Sequence, residues 1–461
     1  MMMDEKKTHP IFEVFIDIVH GHMEFHPLLV SIINTPQFQR LRYIKQTGPC
    51  SYVFQSATHT RFEHSLGTAF LAGKLMDALN EARDNSGDEE RKIREREKLL
   101  VQIAALCHDL GHGPFSHLWE FFLKRFDKTW KHEEASVQIF DTILKEKSWD
   151  TERHSTISIR ELFSYYDLDG YSDMIKHMIV GKEEKYGKSY LYQVVSNKQN
   201  SVDVDKWDYL LRDSKMTSIP IHFDYTKLLG ACRILETAPG VEEICFRDKE
   251  CSTLLSMFVS RAVLHEKVYQ HRKVKIIEEM LIDAFVLAAR SEDKLGLKLT
   301  STDARDISRL TDRVLEHILY GEFGSDENID ESRRILKRVQ RRDLYMIAAS
   351  HRLPESRHSV ARVPEIFDLF LKNLKKEVPH TDLFSCTAIS IQLPHVAEGK
   401  SPLDNIIRYN KKGKVITESC HDPDLDIFQD EMLVLYKGTD IEENVHTPLL
   451  KKVILKLFGR Y

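Results

Sequence analysis

Over the first 320 residues, apolar positions recur at the three-to-four-residue spacing of helices packed on one face. Phe62, Leu66, Ala69, Phe70, Leu75, Met76 and Leu79 form one stripe and predict a long amphipathic helix over 61–82, with His64 near its start. Charged residues dominate 84–98, which predicts an exposed loop or a frayed helix end. Residues 99–107 are apolar almost throughout, the pattern of a helix buried on all sides in a bundle. Helical spacing returns over 131–147, 172–180, 201–213, 252–291 and 302–320, and Thr35-Pro36 marks a helix entry. Near Leu353-Pro354 the rhythm changes. Alternating and β-branched residues predict strands at 386–393, 405–409, 415–417 and 432–436, with a closing helix over 447–457. The chain is therefore expected to be mostly α, a helical bundle over 11–350 with a smaller mixed α/β C-terminal lobe over 351–461. Residues 1–10 are expected to be a disordered N-terminus.

Composition narrows the class. A chain of 461 residues, 42% hydrophobic and 30% charged, is long enough for two or three packed units around a large core. No apolar run approaches the roughly 20 residues that span a bilayer. The polar first ten residues lack the apolar stretch of a secretory leader. Seven cysteines without paired spacing suit a reducing compartment, which places the protein in the nucleus or cytoplasm. A formal charge of −5 gives no general attraction to nucleic acid. The basic run 333–342 is a solvated helix face, with a nucleic-acid contact as a second reading.

Chemistry concentrates at 104–117. The apolar helix ends in His108-Asp109, followed by Gly111-His112-Gly113-Pro114 and then His117. A carboxylate at the negative end of a buried helix dipole needs a positive partner. His64, His108, Asp109 and a later acid, Asp205, supply the imidazole and carboxylate ligands of a divalent cation. The Gly-rich turn lacks the spacing of a phosphate-binding loop and would instead bend the chain to face His112 and His117 toward that cation. Each residue also has a plain alternative. Arg61 beside Glu63 reads as a surface pair, Lys206, Asp208 and Asp213 as a solvated helix face, Tyr269 as core, and His132 before Glu133 and Glu134 as exposed helix.

The order His64, His108-Asp109, Asp205 resembles the H…HD…D signature of the HD phosphohydrolase superfamily. Longer stretches resemble its SAM-and-HD-domain deoxynucleoside triphosphate triphosphohydrolases. These are Arg61-Phe62-Glu63-His64-Ser65-Leu66-Gly67, residues 106–117, Asn197, 203–209, 38–46 and Tyr269-Gln270-His271. The resemblance implies an HD-domain helical bundle over 11–350 that hydrolyses a dNTP to deoxynucleoside and inorganic triphosphate. It implies His64, His108, Asp109 and Asp205 as ligands of Fe, Mn, Zn or Mg. It also implies His112, His117 and His132 as the catalytic histidines, with His117 the general acid. Arg61, Lys206 and Arg261 would hold the triphosphate. Gln46 and Asp213 would bind the 3′-hydroxyl, and Tyr269 would block a 2′-hydroxyl. Thr47, Tyr209, His265 and Gln270 complete the substrate positions.

The same resemblance implies activation by GTP or dNTP between subunits of a homo-tetramer or dimer, with roles in dNTP catabolism and innate immunity. Val14, Asn34, Gln39 and Arg42, with Asp17, correspond to one activator site. Val53, Phe54, Lys227, Arg247, Lys249 and Arg272 correspond to the other. Glu13 and Asn34 stand where the family carries a lysine and an aspartate, so GTP selectivity is expected to be weak. Thr47 replaces a leucine beside the sugar, Thr253 an asparagine, and Glu120 an aspartate near the histidines. No SAM domain and no membrane partner are expected. Two alternatives stay open: hydrolysis of another nucleotide, or a nucleotide- or nucleic-acid-binding protein with little turnover.

Overall fold

The computed structural model describes residues 12–84, 92–126, 128–150, 155–182, 188–352, 363, 367–368, 371–372, 384–391, 402–416 and 429–438. Two helices at its centre, Arg61–Asp84 and Glu95–Cys107, lie against each other. The second is as apolar as its sequence requires: Leu100, Val101, Ile103, Ala104, Ala105, Leu106 and Cys107 are wholly buried. Each fully buried Leu or Ile contributes about 1.5–3 kcal/mol of transfer free energy, so this pair anchors the bundle. The helix Val204–Thr217 packs on Arg61–Asp84, and Ser172–Val180 packs between Glu95–Cys107 and His132–Ile143. Among the described residues, no helix is long and apolar enough to cross a membrane.

The helical bundle expected from the spacing is present, with four corrections, the first being that 302–320 holds two short helices, Ala304–Ile307 and Val314–Tyr320. The segment 84–98 is not all exposed. Ile93 is buried, and Glu95 starts the helix behind a capping box in which Glu97 accepts from the Arg94 N–H at 3.0 Å. Glu97 and Lys98 reach Lys188 and Asp77 at 2.6 and 2.5 Å, contacts that a charge count cannot reveal. The stretch 252–291 is not one helix either. Cys251–Leu264 runs into a π-helical turn, His265–Tyr269, before Arg272–Ala289 begins. Helix 201–213 starts at Val204, because Asp203 caps it by accepting from the Lys206 N–H at 3.1 Å.

Three hairpins escaped the periodicity: Glu13–Asp17 with Gly21–Phe25, Lys147–Asp150 with Ser155–Ser158, and Cys232–Ala238 with Val241–Arg247. Charges such as Glu236, Glu242 and Glu243 interrupt the alternation that marks a half-buried strand. Of the C-terminal sheet, the strands near 386–393 and 432–436 were legible, the latter because it is buried on both faces, whereas Met346–Arg352 falls outside the expected strands. Met432, Leu433, Val434 and Leu435 lie in Gln429–Tyr436, between Met346–Arg352 and Phe384–Ile391 in an antiparallel sheet. The short strand Arg408–Tyr409 runs parallel to Val241–Arg247 and joins its sheet, with Val415–Ile416 outside it. The expected N-terminal tail at 1–10 and the helix at 447–457 lie outside the described residues.

Candidate active site

His64 sits in the first turn of Arg61–Asp84, and its Nδ1 donates to Asp208 Oδ2 at 2.7 Å. His108 follows the last turn of Glu95–Cys107, and its Nδ1 donates to the Ala105 carbonyl at 2.7 Å. Both rings therefore present Nε2 as the lone pair, and neither buried Nε2 has a hydrogen-bond partner. The two nitrogens face the same carboxylates. His64 Nε2 is 3.0 Å from Asp205 Oδ1 and 3.4 Å from Asp109 Oδ2, and His108 Nε2 is 3.4 Å from an oxygen of each. His64, His108 and Asp109 bring their donor atoms close enough together for a divalent cation, and Asp205 lies 3.0 and 3.4 Å from the two imidazoles. Burial disfavours charge on His64, yet the neighbouring carboxylates of Asp205, Asp208 and Asp109 outweigh it and push the imidazole up to about 10. The carboxylates thus favour positive charge at this point.

The turn that follows is built for close approach. A Cβ on Gly111 would strike the His132 carbonyl and come within 2.5 Å of the Ser136 nitrogen, so only glycine lets 108–112 lie on the His132–Ile143 helix. The bend itself is not made by the glycines. Phe115 and Ser116 carry it, with φ of 56° and 61°. Asp312 accepts from the Phe115 N–H at 2.6 Å, and Ser116 Oγ donates to the Lys45 carbonyl at 2.6 Å. Arg40 holds the other side, its guanidinium donating to the carbonyls of Leu110, His112 and Leu310 at 3.1, 2.6 and 2.8 Å. Burial lowers Arg40 to about 9, and those carbonyls compensate for the lost water.

His112, His117 and His132 form the second cluster. His112 stacks on His132 with ring centroids 3.9 Å apart, and His117 stands edge-on to both at 5.0 and 5.4 Å. Glu120 Oε1 joins His132 Nδ1 at 2.6 Å and lies 3.6 Å from His117 Nδ1. Burial would raise the Glu120 carboxyl, but the two histidines hold it far below the usual range. His112 is pushed well down, first by burial and then by Arg61, while its Nε2 lies 3.3 Å from Asp109. His132 is half-buried rather than a solvated helix residue.

Every catalytic, metal and substrate candidate named above except His64, which stands behind the wall, lines one cavity of about 590 Å³. Arg61 is buried rather than a surface pair, donating to Asp109 Oδ2 at 2.6 Å and Ser116 Oγ at 2.9 Å. Lys206 reaches Asp203 at 2.8 Å, and Arg261 lines the same wall. Asp208 and Asp213 are wholly buried, so the solvated-face reading fails for them. Asp213 is gripped from two sides, accepting from the Tyr269 hydroxyl at 2.5 Å and pairing with His59 Nε2 at 2.6 Å. The π-helical turn delivers His265 and Tyr269 to the cavity. Gln46 Oε1, Thr47 Oγ1 and Gln270 Oε1 are buried on its wall with no hydrogen-bond partner. Unpaired polar atoms inside a cavity mark where a polar ligand docks.

Sequence reasoning missed the supports. Asp208 also accepts from Arg212 at 2.9 Å and meets His20 Nε2 at 2.7 Å, while Arg212 donates to Asp17 at 2.7 Å. Asp17, expected at an activator site, is thus buried against Arg212. The activator candidates lie elsewhere, since none lines the cavity. Val14 is exposed on the first hairpin, and Asn34 caps the Pro27–Ile33 helix. Gln39 accepts from Arg42 at 2.7 Å, and Arg42 lies 3.5 Å over the Phe62 ring. In the second group, Val53 and Phe54 follow the Gly48–Tyr52 turn, and Arg247 and Lys249 adjoin the Asp248–Glu250 turn. Lys227 and Thr253 share a separate groove, and Arg272 pairs with Glu431 at 2.7 Å.

Gly67 shows how close these supports stand. A Cβ there would fall on Asp208 Oδ1 and within 2.6 Å of Arg212 Nη2. Gly67→Ala is expected to cost about 1–3 kcal/mol by overpacking and to displace Asp208 from His64. Thermal unfolding together with metal analysis checks this: a lower melting temperature with less bound metal is the expected pair, and unchanged metal content contradicts the linkage.

Residues 61–213 match the family described as HD domain, and 223–378 match the HD associated region. The chain is 36% identical over 436 residues to the deoxynucleoside triphosphate triphosphohydrolase SAMHD1 of Bos taurus, covering 87% of this chain and 69% of the relative. It is 38% identical over 439 residues to that of Gallus gallus, covering 88% and 68%. To a homolog from Dictyostelium discoideum it is 36% identical over 335 residues, covering 72% and 59%. It spans 54% of the Homo sapiens protein's length.

Proposed function

Because this chain belongs to the HD-domain deoxynucleoside triphosphate triphosphohydrolases and is an enzyme, we propose that it cleaves a dNTP to a deoxynucleoside and inorganic triphosphate. The observation that carries the reading is one cavity whose wall holds His108, Asp109 and Asp205, with His64 behind it 3.0 Å from Asp205, beside Arg61, Lys206 and Arg261 and with Asp213 and Tyr269 also on its wall. His64, His108, Asp109 and Asp205 would hold a divalent cation, which would supply a nucleophile at neutral pH by acidifying water. The remaining work falls to the protein. Arg61, Lys206 and Arg261 neutralise the triphosphate so that an anionic attacker can approach the α-phosphorus. His117 hands a proton to the departing 5′-oxygen, while Glu120 and His132 orient it. Asp213 and Gln46 receive the 3′-hydroxyl. Tyr269, fixed by its bond to Asp213, occupies the space of a 2′-hydroxyl.

The test is direct. Purified protein with Mn, Fe, Zn or Mg, given each dNTP alone and with each second nucleotide, is expected to release inorganic triphosphate in at least one combination. No triphosphate in any of them overturns the proposal. Activation belongs to the same reading: the activator groups outside the cavity would bind nucleotide at subunit contacts of a dimer or tetramer. Glu13 would repel any triphosphate and Asn34 offers an amide where a carboxylate would read the guanine edge, so mass in solution should rise no more with GTP than with dATP. GTP-specific assembly contradicts this.

Thr47 Oγ1, buried and unpaired on the cavity wall, favours a second reading in which ribonucleotides are also accepted. Thr47→Leu is then expected to lower the ratio of GTP to dGTP hydrolysis by about tenfold. An unchanged ratio removes the second reading.

A further inference from the structure

One wall of the cavity carries a charged pair that the proposed reaction leaves unused. Lys275 and Glu278 stand one turn apart near the start of Arg272–Ala289, and both line the cavity. Their side chains are only 9% and 15% exposed, and the ammonium is bonded to the carboxylate. Taking two charges out of water is costly, and apolar residues would pack this wall more cheaply. Leu118, Phe121 and Cys50 supply apolar lining, with Lys275 Nζ 5.2 Å from the Phe121 ring centre.

The pair's place in the cavity follows from its neighbours. Arg272–Ala289 packs on the Gly48–Tyr52 turn, and Cys50 of that turn lines the same cavity as Asp213, Lys275 and Glu278. With the triphosphate at Arg61 and Lys206 and the sugar at Asp213 and Tyr269, as proposed above, this wall of the same cavity is left for the base.

We propose that Lys275 and Glu278 read the Watson–Crick edge of the substrate's base and favour guanine, an assignment that rests on the dNTP reading above. Guanine presents a carbonyl acceptor beside two N–H donors. The ammonium donates to the carbonyl oxygen, and the carboxylate accepts both N–H groups, so each charged group keeps a matched partner. Adenine and cytosine offer one donor next to ring or carbonyl acceptors, and thymine sets one donor between two carbonyls. Each leaves the buried carboxylate partly unpaired or facing an oxygen, which is where discrimination arises.

An equimolar mixture of the four dNTPs exposes every substrate to the same activators, so early product ratios are ratios of kcat/KM. Wild type is expected to release deoxyguanosine in about tenfold excess over deoxyadenosine. Glu278→Gln, which keeps the shape, and Lys275→Met, which keeps the stem, should each bring that ratio within about twofold of one. No preference in wild type, or a preference that survives in both variants, overturns the proposal. A phosphate-holding or purely structural role lowers all four products together and leaves the ratio intact, which is the second of these outcomes. If no dNTP is hydrolysed at all, the dNTP reading falls. Equilibrium binding of dGTP against dATP to wild type and Glu278→Gln then decides the base assignment, with equal affinities in wild type counting against it.

Discussion

Asp109→Ala protein is expected to hold no stoichiometric divalent metal and to lose triphosphate release by on the order of 10³-fold or more, the several kcal/mol that a bound cation supplies. Asp109 faces His64, His108 and His112 at 3.3–3.4 Å and also accepts from Arg61 at 2.6 Å. Its removal therefore does two things. It takes away a ligand, and it leaves the buried Arg61 guanidinium without its counter-charge, a penalty of about 3–5 kcal/mol for a broken buried pair. Lost stability alone could then explain lost activity. His108→Ala separates the causes, because Asp109 then keeps its pair with Arg61 at 2.6 Å and Asp205 keeps His64 at 3.0 Å. It should lose metal and activity while unfolding at a temperature much closer to wild type. Metal retained in both variants would sink the ligand assignment.

His117→Gln should leave metal content unchanged and lower kcat by roughly 10²–10⁴-fold, the usual worth of a positioned general acid. His117 is the most accessible of the three clustered histidines, with a side chain 63% exposed. It borders the cavity and belongs to a second cluster, with His112, Glu120 and His132, whose donor atoms also lie close enough together to hold an ion, apart from the His64, His108 and Asp109 set. A merely structural role would depress every substrate alike. A general acid matters only when the leaving oxygen needs a proton, so a triphosphate ester with an acidic phenol leaving group should be cleaved by His117→Gln at close to the wild-type rate. An equal defect on both substrates contradicts the assignment.

The metal candidates were legible because ligand chemistry is written in residue type. Few arrangements explain His64 at the start of one amphipathic helix and His108-Asp109 at the end of an all-apolar one. The long helices were legible because burial of one face imposes a period on the chain. Polar residues told less. Asp208 and Asp213 looked like the wet face of a helix, yet both are buried. Their partners His64, Arg212, His59 and Tyr269 include residues more than 140 positions away along the chain.

The chain's own pattern thus determined the helical class, the apolar centre and a set of residues suited to binding a cation. Only the tertiary structure decided which polar side chains are held inside. It placed Asp208 behind His64, His59 and Tyr269 on Asp213, Arg40 on the carbonyls of the turn, and Lys275 with Glu278 on the cavity wall. The physical reason is that a helix period reports how each residue meets water. A buried hydrogen bond or ion pair depends on a partner that local spacing does not contain.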